Sequence, residues 1–276
     1  MPEKRRFLLL TFPLVLTASA LVWGTADPSN QREWAANLAV LPYAEFDGDL
    51  VHVRNIRNTS YETSTKYTPA YYDRTFDLNR LETAWFLVEP LSKRGTVAHT
   101  FLSFGFEGPE YVAISVEARK EKGESYDFLR GFLGQYELMY LVADERDVIR
   151  LRTSYRRDDV YLYPIKASPE SMRELFVAML SRANQLRERP EFYNTLTSNC
   201  TSNIIGHVNS LSPRRIPFSL ERLLPGYSDR LAYGLGLIDT QLPMDQARAR
   251  FKINERALEY ADSPDFSIRI REPEPD

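Results

Sequence analysis

The chain carries a single cysteine, Cys200, and three histidines, His52, His99 and His207. One cysteine excludes an intrachain disulfide and every cysteine-rich metal site. The histidines form no HExxH or similar zinc spacing, so no metal and no cofactor is expected. Excess charge of one sign is also missing. Lys and Arg number 35 against 38 Asp and Glu, well mixed, for a net charge of −3. Without a basic block, nucleic acid is not an expected partner. Beyond Trp23 there is no further apolar run of membrane-spanning length.

The one long apolar run, Phe7 to Trp23, is broken only by Pro13 and small hydroxyl residues, and it follows Lys4, Arg5 and Arg6. A basic stretch before such a run reads as a secretory signal or signal-anchor. Ala18-Ser19-Ala20 offers a cleavage site; if it is cut, the mature protein is soluble. If it is kept, residues 7–23 are at the short limit for one span. Either way the protein is expected to be exported to the periplasm, with residues 7–23 as its inner-membrane anchor if they are retained. No cysteine lies near the run, so the protein is not itself a lipoprotein.

What is present builds a core: 43% of residues are hydrophobic and 12% aromatic. A length of 276 residues suits one large domain with appendages. The expected division is a signal segment at 1–23, a linker with a docking helix near Trp34 to Leu41 at 24–48, a domain at 49–262, and a flexible tail at 263–276. The fold class is α+β, an antiparallel sheet with a few helices.

Alternation makes LVHVRNIRN, from Leu50, a strand, and ETAWFLVEPL (82–91) a second one. Thr59 to Asn79 reads as a long surface loop. HTFLSFGF (99–106) and YVAISVEA (111–118) flank the turn Glu107-Gly108-Pro109-Glu110 and predict a hairpin. Pairing Leu102 with Ile114 and Phe104 with Val112 gathers apolar residues on one face. The same register puts His99, Ser103, Ser115 and Glu117 on the other, with His99 directly across from Glu117. Val148 to Thr153 and Asp159 to Ile165 read as two strands about a polar turn. Ser168-Pro169 with Glu170 opens a helix that runs to about Arg187, before Pro190. A further helix is expected near Met244 to Ala261.

The stretch YNTLTSNCTSNIIGHVNSL (193–211) carries the chemistry. Thr197, Ser198 or Asn199 can cap a helix in which Ile204, Ile205 and Val208 have helical spacing. Cys200 then sits in its first turn, where free N–H groups and the helix dipole favour a thiolate. The same N–H groups can hold an oxyanion. A thiolate nucleophile needs a base. His207 shares the helix face but lies about 10 Å along the axis at about 1.5 Å per residue, too far to serve. His52 and His99 remain, and Glu117 across from His99 can orient its ring. The plain alternative is that a lone cysteine is a small buried hydrophobe. His99 would then be a structural hydrogen-bonder and Glu117 a surface charge or a partner of Arg119.

Taken together and in order, VRNIRN, AHTFLSFGF, ISVEARKEKGESYD, ERDVIRLRT, YNTLTSNCTSNI and LLPGYSDRLAYGLGLID resemble the Lnb N-terminal periplasmic domain family, from about Val51 to Asp239. Lnb is a lipoprotein N-acyltransferase. The resemblance implies transfer of an acyl group from a phospholipid to the N-terminal amine of a lipoprotein, at a membrane surface. A histidine followed later by Asn-Cys at a helix start is also similar to the permuted papain-like fold of the lecithin–retinol acyltransferase and NlpC/P60 families. Lecithin–retinol acyltransferases work through an acyl-thioester. Carried over, Cys200 is the nucleophile and His99 the base, with Glu117 as third member from the register. The competing functions are a cysteine hydrolase acting on cell-wall peptide and an envelope protein without catalysis.

Overall fold

The structure is a computed structural model and describes residues 27–92, 96–212, 215–217 and 224–272. The expected signal segment at 1–23 lies outside the described residues. The fold is α+β with a mostly antiparallel sheet. Its strands are β1 (Tyr43–Asp47), β2 (Leu50–Arg57), β3 (Ser60–Tyr61), β4 (Tyr67–Thr68), β5 (Tyr71–Asp77), β6 (Leu81–Pro90), β7 (Ala98–Phe106), β8 (Glu110–Arg119), β9 (Glu137–Asp144) and β10 (Tyr161–Pro164). The main sheet runs β1-β2-β9-β8-β7-β6-β10, with β5 also on β2. Among the described residues, only the β2–β9 contact, Arg57 beside Ala143, is parallel.

The hairpin register is the expected one: Leu102 faces Ile114 and Phe104 faces Val112. Gly108, in the turn, has φ 87°, a conformation that suits glycine. Both sides of this sheet are covered, however. The face of Leu102, Phe104, Val112 and Ile114 packs on helix α3 (Pro169–Glu188) through Phe176, Met179 and Leu180. Ser168 caps α3 as its sequence suggested, its hydroxyl accepting from Ser171 N. The opposite face buries Phe101, Ala113, Met139 and Leu141 under Val148, Ile149, Phe266 and Ile270. Polar residues on that face are therefore buried and paired: Ser103 donates to Glu145 at 2.6 Å.

Five expectations differ from the structure. The stretch read as a loop at Thr59 to Asn79 contains β5, which pairs along β2, and the small β3–β4 pair. A bulge at Asn55, with φ 62°, hid the pairing. Val148 to Thr153 is not a strand. It lies in helix α2 (Glu145–Arg150), which runs into a π-helical turn at Leu151–Arg156. Its apolar residues face one core, which a short apolar run cannot distinguish from a strand. The expected docking helix is only a 3-10 turn at Ala36–Leu38, followed by β1. The tail does not fray up to residue 272: it forms a helical turn at Phe266–Arg269, buries Phe266 and Ile270, and sets Arg271 against Glu145 at 2.5 Å. The helix expected at Met244 to Ala261 is two, Met244–Phe251 and Asn254–Glu259, with Lys252 extended between them.

Candidate functional site

Asn199 caps the twelve-residue helix α4 (Cys200–Leu211) in a capping box. Its side chain accepts from Ser202 N at 2.8 Å, and its own N–H donates to Ser202 Oγ at 2.8 Å. Cys200 is the first helical residue and is only 3% exposed. It is thus deeper than a helix-start position alone suggests. The helix start is pinned to the beginning of β7. Thr201 Oγ1 lies 3.0 Å from Thr100 Oγ1, and Cys200 Sγ lies 4.0 Å from the Ala98 carbonyl.

His99 stands between these two β7 residues. Its Nε2 lies 2.7 Å from Ser115 Oγ and 3.2 Å from Glu117 Oε1. Ser115 donates to the same Glu117 oxygen at 2.7 Å. In the other direction along the sheet His99 pairs with Glu89 of β6. Glu89 is fully buried and accepts from Arg152 Nε at 2.7 Å. Arg152 also reaches Glu117 at 3.5 Å and lies over the Phe101 ring at 4.7 Å. The imidazole is therefore set among two carboxylates and one guanidinium.

This arrangement sets the charges. Burial would push the Cys200 thiol up, but hydrogen bonding and charge from His99, with hydrogen bonds from Thr100, bring it below its ordinary value. Burial would favour neutral imidazole, yet the Glu117 charge and the contacts with Glu117 and Cys200 raise His99 above its ordinary value. Glu117 is likewise held well below the usual carboxylate range, its burial outweighed by His99, Arg152 and Ser115. All three shifts run in the direction that favours a thiolate beside an imidazolium and a carboxylate.

Cys200, His99 and Glu117 share one cleft of about 270 Å³. Of its lining residues, Glu89 and Arg152 are buried and form a charged floor, while the exposed Leu91, Val97, Tyr126, Phe128 and Leu224, beside Arg156, make a largely apolar mouth. A second cavity of about the same size lies along α4, lined by Ile204, Ile205 and Val208 and by Leu231 and Leu235. No group of His, Cys, Asp and Glu among the described residues is arranged to hold a metal ion.

The family described as the Lnb N-terminal periplasmic domain matches residues 67–226. The chain belongs to that family. No curated protein and no solved structure matches it. The Lnb-type match covers both His99 and Cys200 and ends at Gly226. Among the described residues, no helix of this Lnb-family chain is long and apolar enough to cross a membrane.

The other histidines stand apart from the site. His52 is on β2, 2.7 Å from Thr75 Oγ1. His207 lies 2.8 Å from Tyr140 Oη, two turns down α4. Sequence reasoning missed Thr100, Glu89 and Arg152. Ser115 lies on the face that alternation predicts, and its hydroxyl links His99 to Glu117. Glu89 was findable only with the β6–β7 register, across a loop whose geometry its sequence does not specify. Arg152 lies in the stretch Val148 to Thr153, which reads as a strand by its apolar residues but is helical, so its direction does not follow from sequence.

Proposed function

We propose that the protein is a cysteine-dependent acyltransferase working at the envelope membrane. The observation that carries this is the gathering of Cys200, His99 and Glu117 in one cleft, from helix, strand and strand. That layout also supports reading the fold as permuted papain-like. The thiolate attacks an ester carbonyl, forming a C–S bond. The ester C–O bond breaks, and the His99 imidazolium gives its proton to the departing alkoxide. An amine then attacks the thioester and loses a proton to His99. The C–N bond forms, and the C–S bond breaks to restore the thiolate. Nε2 of His99 is occupied by Ser115 and Glu117, which leaves Nδ1 for these transfers. Glu117 holds the ring in place and stabilises its charged form.

The capping box uses the N–H groups of Asn199 and Ser202. Those of Cys200 and Thr201 have no acceptor assigned among the described residues, and the Cys200 N–H is our assigned oxyanion donor. An apolar mouth over a charged floor suits an amphipathic ester, and the resemblance to Lnb favours a phospholipid as donor and a lipoprotein amine as acceptor. A peptide hydrolase is less well served by this mouth. Residues 7–23, if retained, tether the enzyme to the inner membrane.

The test is intact-mass spectrometry of the purified full chain after incubation with phosphatidylethanolamine vesicles. A mass gain of one acyl chain on Cys200, absent in Cys200→Ala and discharged by a peptide with a free N-terminal amine, is expected. Discharge by water alone makes the protein a hydrolase. No adduct from a thiol that still alkylates readily overturns the reading.

A further inference from the structure

We propose that the end of the sheet that holds the cleft is a membrane-docking face, seated at the boundary between lipid headgroups and acyl chains. The clearest element is helix α1 (Phe128–Phe132), on the connection from β8 to β9. It exposes Phe128 by 54%, Leu129 by 59% and Phe132 by 44%. This is not a loose segment. Asp127 caps it by accepting from Arg130 N at 2.9 Å, and Arg130 pairs with Glu124. Gly131 packs so closely that an added Cβ would lie 2.4 Å from Thr195 Oγ1. The helix is therefore braced from within while its large apolar side chains point outward, where they stay in water unless something covers them.

Across the cleft, Leu91, Val97 and Leu224 are 49%, 38% and 39% exposed. Apolar side chains thus flank the opening to Cys200 from both sides, brought there by three separate connections. The other end of the sheet also exposes Phe46 and Leu50, but its turns carry Asp47, Asp49 and Asp77, which an anionic bilayer repels, while Glu107 and Glu110 there pair with Arg80 and Arg74.

The path of the chain selects a bilayer over a protein partner. The first described residues run beside this same end. Ser29 N donates to Glu137 at 3.2 Å, where β9 begins, and Arg32 pairs with Glu121 at 3.1 Å, just past β8. The apolar run ends at Trp23, only four residues before Asp27. Four residues reach at most about 14 Å. If residues 7–23 are retained, an apolar segment on so short a lead holds this end of the sheet near the bilayer, and Phe and Leu side chains are those that settle about 5–10 Å into the interface. The docking face rests on the acyltransferase reading only for its purpose, which is to bring the cleft to an ester in the bilayer.

The experiment uses the full chain with Cys200→Ser and one new cysteine, Leu129→Cys or Leu50→Cys, labelled with bimane. Leu50 is 40% exposed but starts β2 at the opposite end of the sheet. Each protein is mixed with vesicles of phosphatidylethanolamine and phosphatidylglycerol, with and without bromine on the upper acyl carbons. Circular dichroism confirms folding, and flotation confirms association. Emission from position 129 should fall about two-fold with brominated lipid, as expected for a side chain at interface depth, while position 50 stays unquenched. Absence of flotation, quenching at neither position, or equal quenching at both overturns the proposal. Because Cys200 is replaced, the result is independent of whether the thiol forms an acyl adduct.

Discussion

Arg152 donates to Glu89 at 2.7 Å across 63 residues of sequence. Both side chains are buried, and the pair sits behind the His99–Glu117 contact. Breaking a buried pair strands the remaining charge, which costs roughly 3–5 kcal/mol. Arg152→Met should lower unfolding free energy by about that much in urea melts. Glu89→Gln combined with Arg152→Met should recover much of it. Equal losses for the single and double variants would contradict the pairing.

His99 should govern the reactivity of Cys200. With His99→Ala, burial is left to push the thiol up, and the thiolate fraction at pH 7 falls. Iodoacetamide alkylation should slow by roughly ten-fold or more, and its pH profile should move to higher pH. Glu117→Gln should give an intermediate slowing. His207→Gln should leave the rate unchanged. An unaltered rate in folded His99→Ala would leave the protein without its base.

His207 gives a stability signal separate from the site. Burial, with the nearby Arg182 charge, pushes it down to about 4 from 6.5. The folded state thus holds it neutral while the unfolded chain protonates it. The wild type should lose stability as pH falls below about 6.5, levelling off near the folded value. For this partly exposed ring the loss between pH 7 and pH 5 is about 1–2 kcal/mol. Urea melts of wild type and His207→Gln at both pH values should differ by that amount, with the variant less sensitive to acid.

Gly131 is where α1 meets the strand-like segment before α4. A methyl group there meets the Thr195 hydroxyl at 2.4 Å, too close to be accommodated without movement. Gly131→Ala should cost about 1–3 kcal/mol, as overpacking does. Gly131→Ala with Thr195→Ala should restore part of it, because the obstructing oxygen is gone. A melting temperature unchanged in Gly131→Ala would show that α1 is not held against this segment.

Much of this protein was legible in one dimension. The β7–β8 register follows from alternation and a glycine turn, and it alone places His99 across from Glu117. The caps at Ser168 and Asn199 follow from residue type, because local hydrogen bonds need only local neighbours. Those signals gave the α+β class and put Cys200 at a helix start. Tertiary structure decided the rest. Nothing local says that β5 pairs with β2, that Val148 and Ile149 are helical, or that Phe266 and Ile270 close the second face of the sheet. Nor does local sequence bring Cys200 to a histidine 101 residues away, or set Arg152 between Glu89 and Glu117. Strand alternation and helix capping are settled within a few residues. Which buried charge finds which partner depends on how both faces of the sheet are covered, and that is settled only when the whole chain packs.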